Sequence, residues 1–101
     1  MSLLISYDIE DNYLRKKAVD FIIDSGFARV QYSVYIGTVN EAVTQAVIKW
    51  LHTLPDNSNW GEKDSVMILS LTPLQIKQIM VIGDPKWDKD DLSGDRHTLI
   101  L

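Results

Sequence analysis

Residues 3–23 read LLISYDIEDNYLRKKAVDFII, and they contain the boundary between two kinds of hydrophobic pattern. The run from Leu3 to Asp8 is almost continuously apolar and ends on a carboxylate, which is typical of a central β-strand that is covered on at least one face. Asp11 or Asn12 can cap a helix immediately afterwards. The stretch therefore predicts a strand followed by a helix, with acidic residues at the junction and a basic cluster in the first helical turns.

The predicted first helix has an apolar stripe and a defined end. Its apolar positions recur at helical spacing, and Gly26 is a natural stop that ends the helix near Ser25. The residues of the stripe are Leu14, Ala18, Phe21, Ile22 and Ser25, widened by Val19 and Ile23.

The middle of the chain predicts a hairpin and a second helix. Residues 27–39, FARVQYSVYIGTV, are rich in β-branched and aromatic residues and predict two strands joined by a tight turn at 31–33. Thr38 with Glu41 three residues later fits a capping box, and Asn40 is a rival N-cap. The apolar stripe of the second helix consists of Val43, Val47, Trp50, Leu51 and Leu54.

The last part of the chain predicts one strong strand and one short strand. A polar loop precedes an apolar strand at 64–71, and a shorter strand is expected at 79–82. The order β-α-β-β-α-β predicts an α+β, ferredoxin-like fold, which is an antiparallel sheet with two helices on one face. We expect a ferredoxin-like domain at 1–83 and, at 84–101, an acidic connector that ends in a C-terminal dimerisation strand.

The opposite face of such a sheet is open unless a second subunit covers it. The chain also ends in an apolar pentapeptide, HTLIL, at residues 97–101, and a strand of this kind can add to the sheet edge of a partner. Both observations predict a homodimer in which the C-terminal strands are exchanged.

Composition excludes several classes of function. With 101 residues and 46% hydrophobic content, the chain predicts one domain with one core, and without cysteine it has no disulfide, thiolate nucleophile or Cys-based metal site. No apolar stretch is long enough to cross a bilayer and no signal peptide is evident, so we expect a cytoplasmic protein without membrane association. The net charge of -4 argues against broad adhesion to polyanions, so any basic residues that bind nucleic acid must gather on one face.

Four segments taken together resemble one known family. They are YDIEDNYLRKK (7–17), ARVQYSVYIG (28–37), SVMILSL (65–71) and VIGD (81–84). Their sequence and order are similar to the CRISPR-associated (Cas) endoribonuclease family, the small ferredoxin-like dimeric proteins of the spacer-adaptation module. The resemblance extends over roughly residues 3 to 84.

This resemblance implies an activity, a metal and partners. Family members have been assigned magnesium-dependent cleavage of single-stranded RNA, and in some cases of duplex DNA, and they bridge two CRISPR integrase dimers. The resemblance implies that Asp8, at the end of the first strand, is the catalytic residue and the ligand of Mg²⁺ (or Mn²⁺). The other positions that the family implicates in activity correspond here to Tyr7, Arg15, Lys17, Arg29 and Tyr35.

Asp8 also has a structural interpretation. An aspartate between a strand and a helix is most often a turn or capping residue, although Asp11 and Asn12 are better placed as caps. A single carboxylate makes a poor Mg²⁺ site, since the ion is usually bound by one or two carboxylates together with water and phosphate oxygens. A molecular two-fold axis would bring two copies of Asp8 to a shared ion for metal-assisted phosphodiester hydrolysis.

The basic cluster at Arg15, Lys16 and Lys17 opposes the helix dipole. Two pairs at i, i+4 spacing, Asp11–Arg15 and Lys16–Asp20, would offset part of this cost. A solvated charged face therefore stays as an alternative to an anion site.

We predict that the basic cluster, together with Arg29, binds a sugar–phosphate backbone. Lys17 and Tyr35 stand where many relatives have arginine and phenylalanine, and lysine lacks the planar fork that binds phosphate in two places. Tyr32 and Tyr35, near the predicted hairpin, suit either base stacking or packing in a core or interface.

These observations lead to one functional prediction with two alternatives. We predict a CRISPR adaptation protein, a homodimer that bridges the integrase, binds duplex DNA or single-stranded RNA and hydrolyses phosphodiesters with a metal ion. One alternative is a purely structural adaptor of the integrase–DNA complex in which Asp8 is idle. The other is an unrelated ferredoxin-like dimer that binds a ligand.

Overall fold

The computed structural model describes residues 2–84, which form a four-stranded antiparallel sheet with two helices packed on one face. A short 3₁₀ helix, Leu54–Asp56, follows the second helix. The strand order is β2-β3-β1-β4, and the predicted ferredoxin-like βαββαβ order is confirmed. In chain order the elements are β1 (Ser2–Asp8), α1 (Asn12–Asp24), β2 (Ala28–Gln31), β3 (Val34–Gly37), α2 (Glu41–Leu51), β4 (Ser65–Leu71) and α3 (Pro73–Lys77).

Strand β1 lies in the interior of the sheet, and its side chains alternate between the two faces. Leu3, Ile5 and Tyr7 are buried against the helices. Phe21 and Trp50 stack at the margin of this core with their ring centroids 4.1 Å apart. The other buried residues of this core are Ile9, Leu14, Ala18, Ile22, Phe27, Tyr35, Val47, Leu51 and Leu54.

The other face of the sheet is covered only in part, as the sequence predicted. Ile76 of α3 is buried against a small apolar cluster on this face. Met67 and Leu69 of β4 remain 61% and 51% exposed. Leu4 of β1 and Ile36 of β3 are opposite each other on the same face. We call this surface the open face.

The hairpin has its turn at Tyr32 and Ser33, within the predicted segment. Two positions next to the hairpin require glycine. Gly26 has φ of 102°, a left-handed conformation that ends α1 without strain. At Gly37 a Cβ atom would lie 2.6 Å from the ring of Phe27, so only glycine lets this ring cross β3.

The predicted capping box of α2 is wrong. Asn40 is the N-cap, and its Oδ1 accepts a hydrogen bond from Val43 N at 2.8 Å. Thr38 precedes the cap, and its hydroxyl forms a hydrogen bond with the hydroxyl of Ser2 at 2.6 Å. The rival cap in the sequence is therefore the one that the helix uses.

The chain after β4 also differs from the prediction. A short helix, α3, is capped by Thr72, which forms a capping box with Gln75, and the T-x-x-Q pattern would have indicated it. The strand predicted at 79–82 is wrong. These residues are irregular, because α3 directs the chain across the open face, where they help to line a cavity of about 290 Å³ instead of pairing with an edge strand.

Two further outcomes concern the chain as a whole. The predicted connector and exchanged strand at 84–101 lie, beyond Asp84, outside the described residues. Within residues 2–84, no helix combines the length and the apolar character that crossing a bilayer requires.

Candidate functional site

A cleft opens where β1 ends and the hairpin turn approaches it. Its volume is about 420 Å³. The residues that line it are Tyr7, Asp8, Ile9, Arg15, Tyr32 and Ser33. The cleft therefore brings together three of the site residues predicted from the sequence. They are Asp8 at the end of β1, Tyr7 in the core and Arg15 on α1.

Asp8 is exposed and has no structural task in the described part of the chain. It is the last residue of β1, opposite Ser65 of β4. Within residues 2–84 its carboxylate has no hydrogen bond or ion pair with another side chain. Asp11 caps α1 instead, since its Oδ2 accepts a hydrogen bond from Leu14 N at 2.8 Å. The interpretation of Asp8 as a helix cap is thus wrong, and its role as metal ligand stays a prediction.

Strand alternation places Asp8 on the open face. Because Leu3, Ile5 and Tyr7 face the helices, Leu4, Ser6 and Asp8 face the other way. A second protein that packed on the open face would therefore approach the Asp8 carboxylate.

Arg15 connects the cleft to the loop between β1 and α1. Its Nη1 donates to the carbonyl oxygens of Ile9 at 2.9 Å and Glu10 at 3.1 Å, and its Nη2 donates to Oδ1 of Asn12. These bonds replace the predicted pair with Asp11. Arg15 thus holds the loop that follows Asp8 and keeps its positive charge at the wall of the cleft.

Lys16 and Lys17 are not among the residues that line the cleft. Lys16 Nζ forms the predicted ion pair with Asp20 Oδ2 at 2.7 Å, and this hydrogen bond raises the pKa of Lys16. Lys17 is exposed on the surface of α1. The four predicted basic residues therefore separate into Arg15 at the cleft, two lysines on the helix surface and Arg29 on β2.

Arg29 and two tyrosines form a cluster under the hairpin. Its Nε and Nη2 donate to the hydroxyl of Tyr35 at 3.0 and 2.8 Å. This hydrogen bonding raises the pKa of Arg29. The rings of Tyr7 and Tyr35 stack with their centroids 6.0 Å apart. Burial, followed by a hydrogen bond to Tyr35, raises the pKa of Tyr7 to about 12.

The two tyrosines suggested for base stacking have different environments. Tyr35 is fully buried, so its ring belongs to the core and cannot stack on a ligand. Tyr32 is 74% exposed, and the guanidinium carbon of Arg29 lies 5.7 Å from the centroid of its ring. The sequence left this difference open, because Tyr32 lies in the turn and Tyr35 only three residues further along β3.

Asp64 is a site residue that the sequence analysis missed, because it was assigned to the start of β4. Its Oδ1 accepts from Glu10 N at 3.1 Å, and its Oδ2 accepts from Gly61 N at 2.7 Å. One carboxylate therefore fastens the loop before β4 to the loop that follows Asp8. The available signal was the G-x-x-D spacing from Gly61 to Asp64, which lets the aspartate accept a hydrogen bond from the glycine amide in a loop.

A single subunit offers few side chains that could bind a metal ion together. Within residues 2–84, no group of three or more His, Asp or Glu side chains is close enough to hold an ion. Asp8 offers one exposed, hard oxygen ligand of the kind that Mg²⁺ and Mn²⁺ prefer. One subunit therefore supplies a single carboxylate at this position, and metal binding by Asp8 stays a prediction.

Comparison with known proteins connects this geometry to one family. The family model of CRISPR associated protein Cas2 matches residues 1–79. An Aeropyrum pernix protein named CRISPR-associated endoribonuclease Cas2 is 31% identical over 81 residues, which cover 80% of this chain and 84% of that protein. A Synechocystis protein named CRISPR-associated endoribonuclease Cas2 3 is 31% identical over 86 residues, covering 85% and 88% of the two chains.

Solved structures confirm the fold. A crystal structure of Streptococcus pyogenes Cas2 aligns with a TM-score of 0.64 and 22% identity, covering 82% of this chain and 100% of that one. A hypothetical protein from Thermus thermophilus aligns with a TM-score of 0.65 and 23% identity, covering 85% and 94%.

Proposed function

This chain belongs to the Cas2 family of CRISPR-associated proteins, and from that premise we propose that it is a homodimeric, metal-dependent endoribonuclease of CRISPR adaptation. In this role it binds single-stranded RNA or duplex DNA and bridges dimers of the CRISPR integrase. The names of its curated relatives support the nuclease activity, since both the Aeropyrum pernix and the Korarchaeum cryptofilum proteins are named CRISPR-associated endoribonuclease Cas2. Family membership also argues against the alternative of an unrelated ligand-binding dimer.

The observation that carries the proposal is the position of Asp8. It is an exposed carboxylate without a side-chain partner among residues 2–84, at the wall of a cleft that also contains Arg15. A structural aspartate normally accepts hydrogen bonds, as Asp11 and Asp64 do here. Asp8 instead presents its charge to a ligand or to a second subunit.

The homodimer is supported by the open face. Met67 and Leu69 expose apolar side chains on the face of the sheet that also carries Leu4 and Asp8. Burying such a surface on a second copy removes it from water, and a two-fold interface of identical patches brings equivalent residues near one another. Asp8 of the partner subunit would then supply the second carboxylate.

The residues of the cleft have distinct tasks in this proposal. The two copies of Asp8 would hold Mg²⁺ or Mn²⁺, which when bound polarises a phosphodiester and lowers the pKa of a water molecule. Arg15 at the wall of the cleft and Arg29 beside Tyr32 would bind phosphate oxygens, which positions the strand without reading its sequence. Tyr7 supports Asp8 from the core, where its stacked ring fixes the end of β1.

The test compares cleavage by the wild type and by Asp8→Asn, with labelled single-stranded RNA and duplex DNA in the presence of Mg²⁺. We expect Asp8→Asn to remain a dimer and to lose cleavage. Asp24→Asn is a matched control, because Asp24 is also exposed but lies at the far end of α1. Equal cleavage by Asp8→Asn and the wild type would exclude Asp8 as the catalytic residue.

A structural bridge without catalysis is the second candidate. The net charge of -4 favours a protein that depends on a basic partner over a nuclease that binds nucleic acid unaided. Cleavage distinguishes the two candidates, since a purely structural bridge shows none even as the wild type. Both candidates should co-purify with the integrase, and this association should persist in Asp8→Asn.

A further inference from the structure

Tyr32 is a large aromatic residue that the protein holds in solvent beside the cleft. Its side chain is 74% exposed in the turn between β2 and β3, and it lines the same cleft as Asp8. Tyr13 is similarly exposed, at 67%, but it lies on α1 and is not among the residues that line the cleft. The position of Tyr32 is thus distinct from that of an ordinary surface tyrosine.

The Tyr32 ring is held by groups that reach back to the core. Arg29 places its guanidinium carbon 5.7 Å from the ring centroid, within cation–π range. Arg29 is held in turn by two hydrogen bonds to the hydroxyl of the buried Tyr35. The turn itself is attached to β1, since Tyr7 N donates to Ser33 O at 3.1 Å. A ring restrained in this way loses little freedom when a ligand binds.

An exposed ring beside a cation matches the chemistry of an unpaired nucleobase. Every base has a π-face that can stack on an aromatic side chain, and arginine adds an attraction for the neighbouring phosphate. In a duplex these faces are covered by adjacent base pairs, so a base must leave the stack before a protein ring can contact it.

We infer, on the basis of the proposed function, that Tyr32 stacks on an unpaired nucleobase next to the phosphodiester presented to Asp8. This contact makes Tyr32 a specificity-determining residue that favours single strands over duplexes. The ring carries the interaction and the hydroxyl is not needed, so phenylalanine at this position preserves it.

The test is equilibrium binding of a labelled, mixed-sequence single-stranded RNA and of the duplex that it forms with its complement. EDTA is present so that binding is measured without cleavage. Tyr32→Leu is expected to weaken single-strand binding by about tenfold, the effect of losing one base–aromatic stack, and to leave duplex binding almost unchanged. Tyr32→Phe and the matched control Tyr13→Leu should bind like the wild type.

Three outcomes would overturn this inference. The first is that Tyr32→Leu binds the single strand as tightly as the wild type does. The second is that Tyr32→Leu loses the same affinity for the single strand and for the duplex. The third is that Tyr32→Leu changes the oligomeric state, which would make Tyr32 an interface residue. Thermal unfolding of each variant checks that the fold is intact.

The proposed function has a separate readout, because Asp8→Asn should bind the single strand normally and fail to cleave it. Cleavage that depends on Asp8, without an effect of Tyr32→Leu, rejects the stacking alone. An effect of Tyr32→Leu with cleavage that does not depend on Asp8 rejects only the assignment of the active site.

Discussion

Tyr7 connects the core of the protein to its candidate site. It is 7% exposed, its ring stacks on Tyr35, and its pKa is raised to about 12 by burial and then by hydrogen bonding to Tyr35. The unfolded chain releases this proton near the ordinary value of 10.0, before the folded protein does. The contribution of Tyr7 to stability is therefore complete below pH 10 and is lost as the pH rises from about 10 to about 12.

The variant Tyr7→Phe tests this pH dependence. At neutral pH it should lower the free energy of unfolding by about 1 kcal/mol, because a buried hydrogen bond is lost. The difference between wild type and variant should shrink above pH 10, and denaturant titrations across that range measure it. A difference that stays constant up to pH 12 would contradict the assigned pKa.

Asp64 makes a second prediction at the scale of single residues. Asp64→Ala leaves the amide groups of Glu10 and Gly61 without their acceptor and should lower the free energy of unfolding by about 1–3 kcal/mol. Glu62→Ala is the matched control, since Glu62 is an exposed acid in the same loop. Equal denaturation midpoints for the two variants would show that the loops are not joined through Asp64.

At the scale of elements, the cap of α2 offers a direct comparison between two sequence interpretations. Asn40→Ala should cost about 1 kcal/mol of stability because Val43 N loses its acceptor, whereas Asn40→Asp should be nearly neutral. Thermal denaturation of both variants measures the difference. Equal stability of Asn40→Ala and the wild type would contradict the assignment of Asn40 as the cap.

Much of the fold could be predicted because its signals are local. The apolar run of β1, the helical stripe from Leu14 to Ile22 and the hairpin turn near Tyr32 all depend on short-range patterns. The errors occur where two local signals compete, as at Thr38 and Asn40, or where tertiary packing decides. Residues 79–82 have strand-like composition, but α3 carries them across the open face.

The candidate site could be predicted less completely, for geometric reasons. Tyr7 and Asp8 are adjacent on β1, and the connection between β1 and α1 is short, so their proximity to Arg15 follows from the chain itself. The sequence does not show that Lys16 and Lys17 lie outside the cleft, since their position depends on how α1 is rotated about its axis. Nor does it show which tyrosine of the hairpin is exposed, because the side of each strand that faces the helices is set by the whole sheet.

At the scale of the whole molecule, the open face should control assembly. Met67→Glu places a charge in the proposed interface and should shift the protein to a monomer, as measured by sedimentation or light scattering. The folded monomer should keep its stability, because Met67 is 61% exposed in a single subunit. Ile23→Glu, an exposed apolar residue on α1, is the control and should leave the dimer unchanged.

An unchanged dimer in Met67→Glu would place the interface elsewhere. Asp8 would then have no equivalent residue near it, and a shared metal site would have no structural basis.

The central claim is that two copies of Asp8, one from each subunit, act together. A dimer that carries different tags on a wild-type subunit and an Asp8→Asn subunit can be purified as the mixed species, and its rate of metal-dependent RNA cleavage measured beside the wild-type dimer. If both carboxylates hold one ion, a single substitution removes the site and the mixed dimer should be inactive. Cleavage at about half the wild-type rate, as expected for two independent sites in a two-fold dimer, would contradict the account.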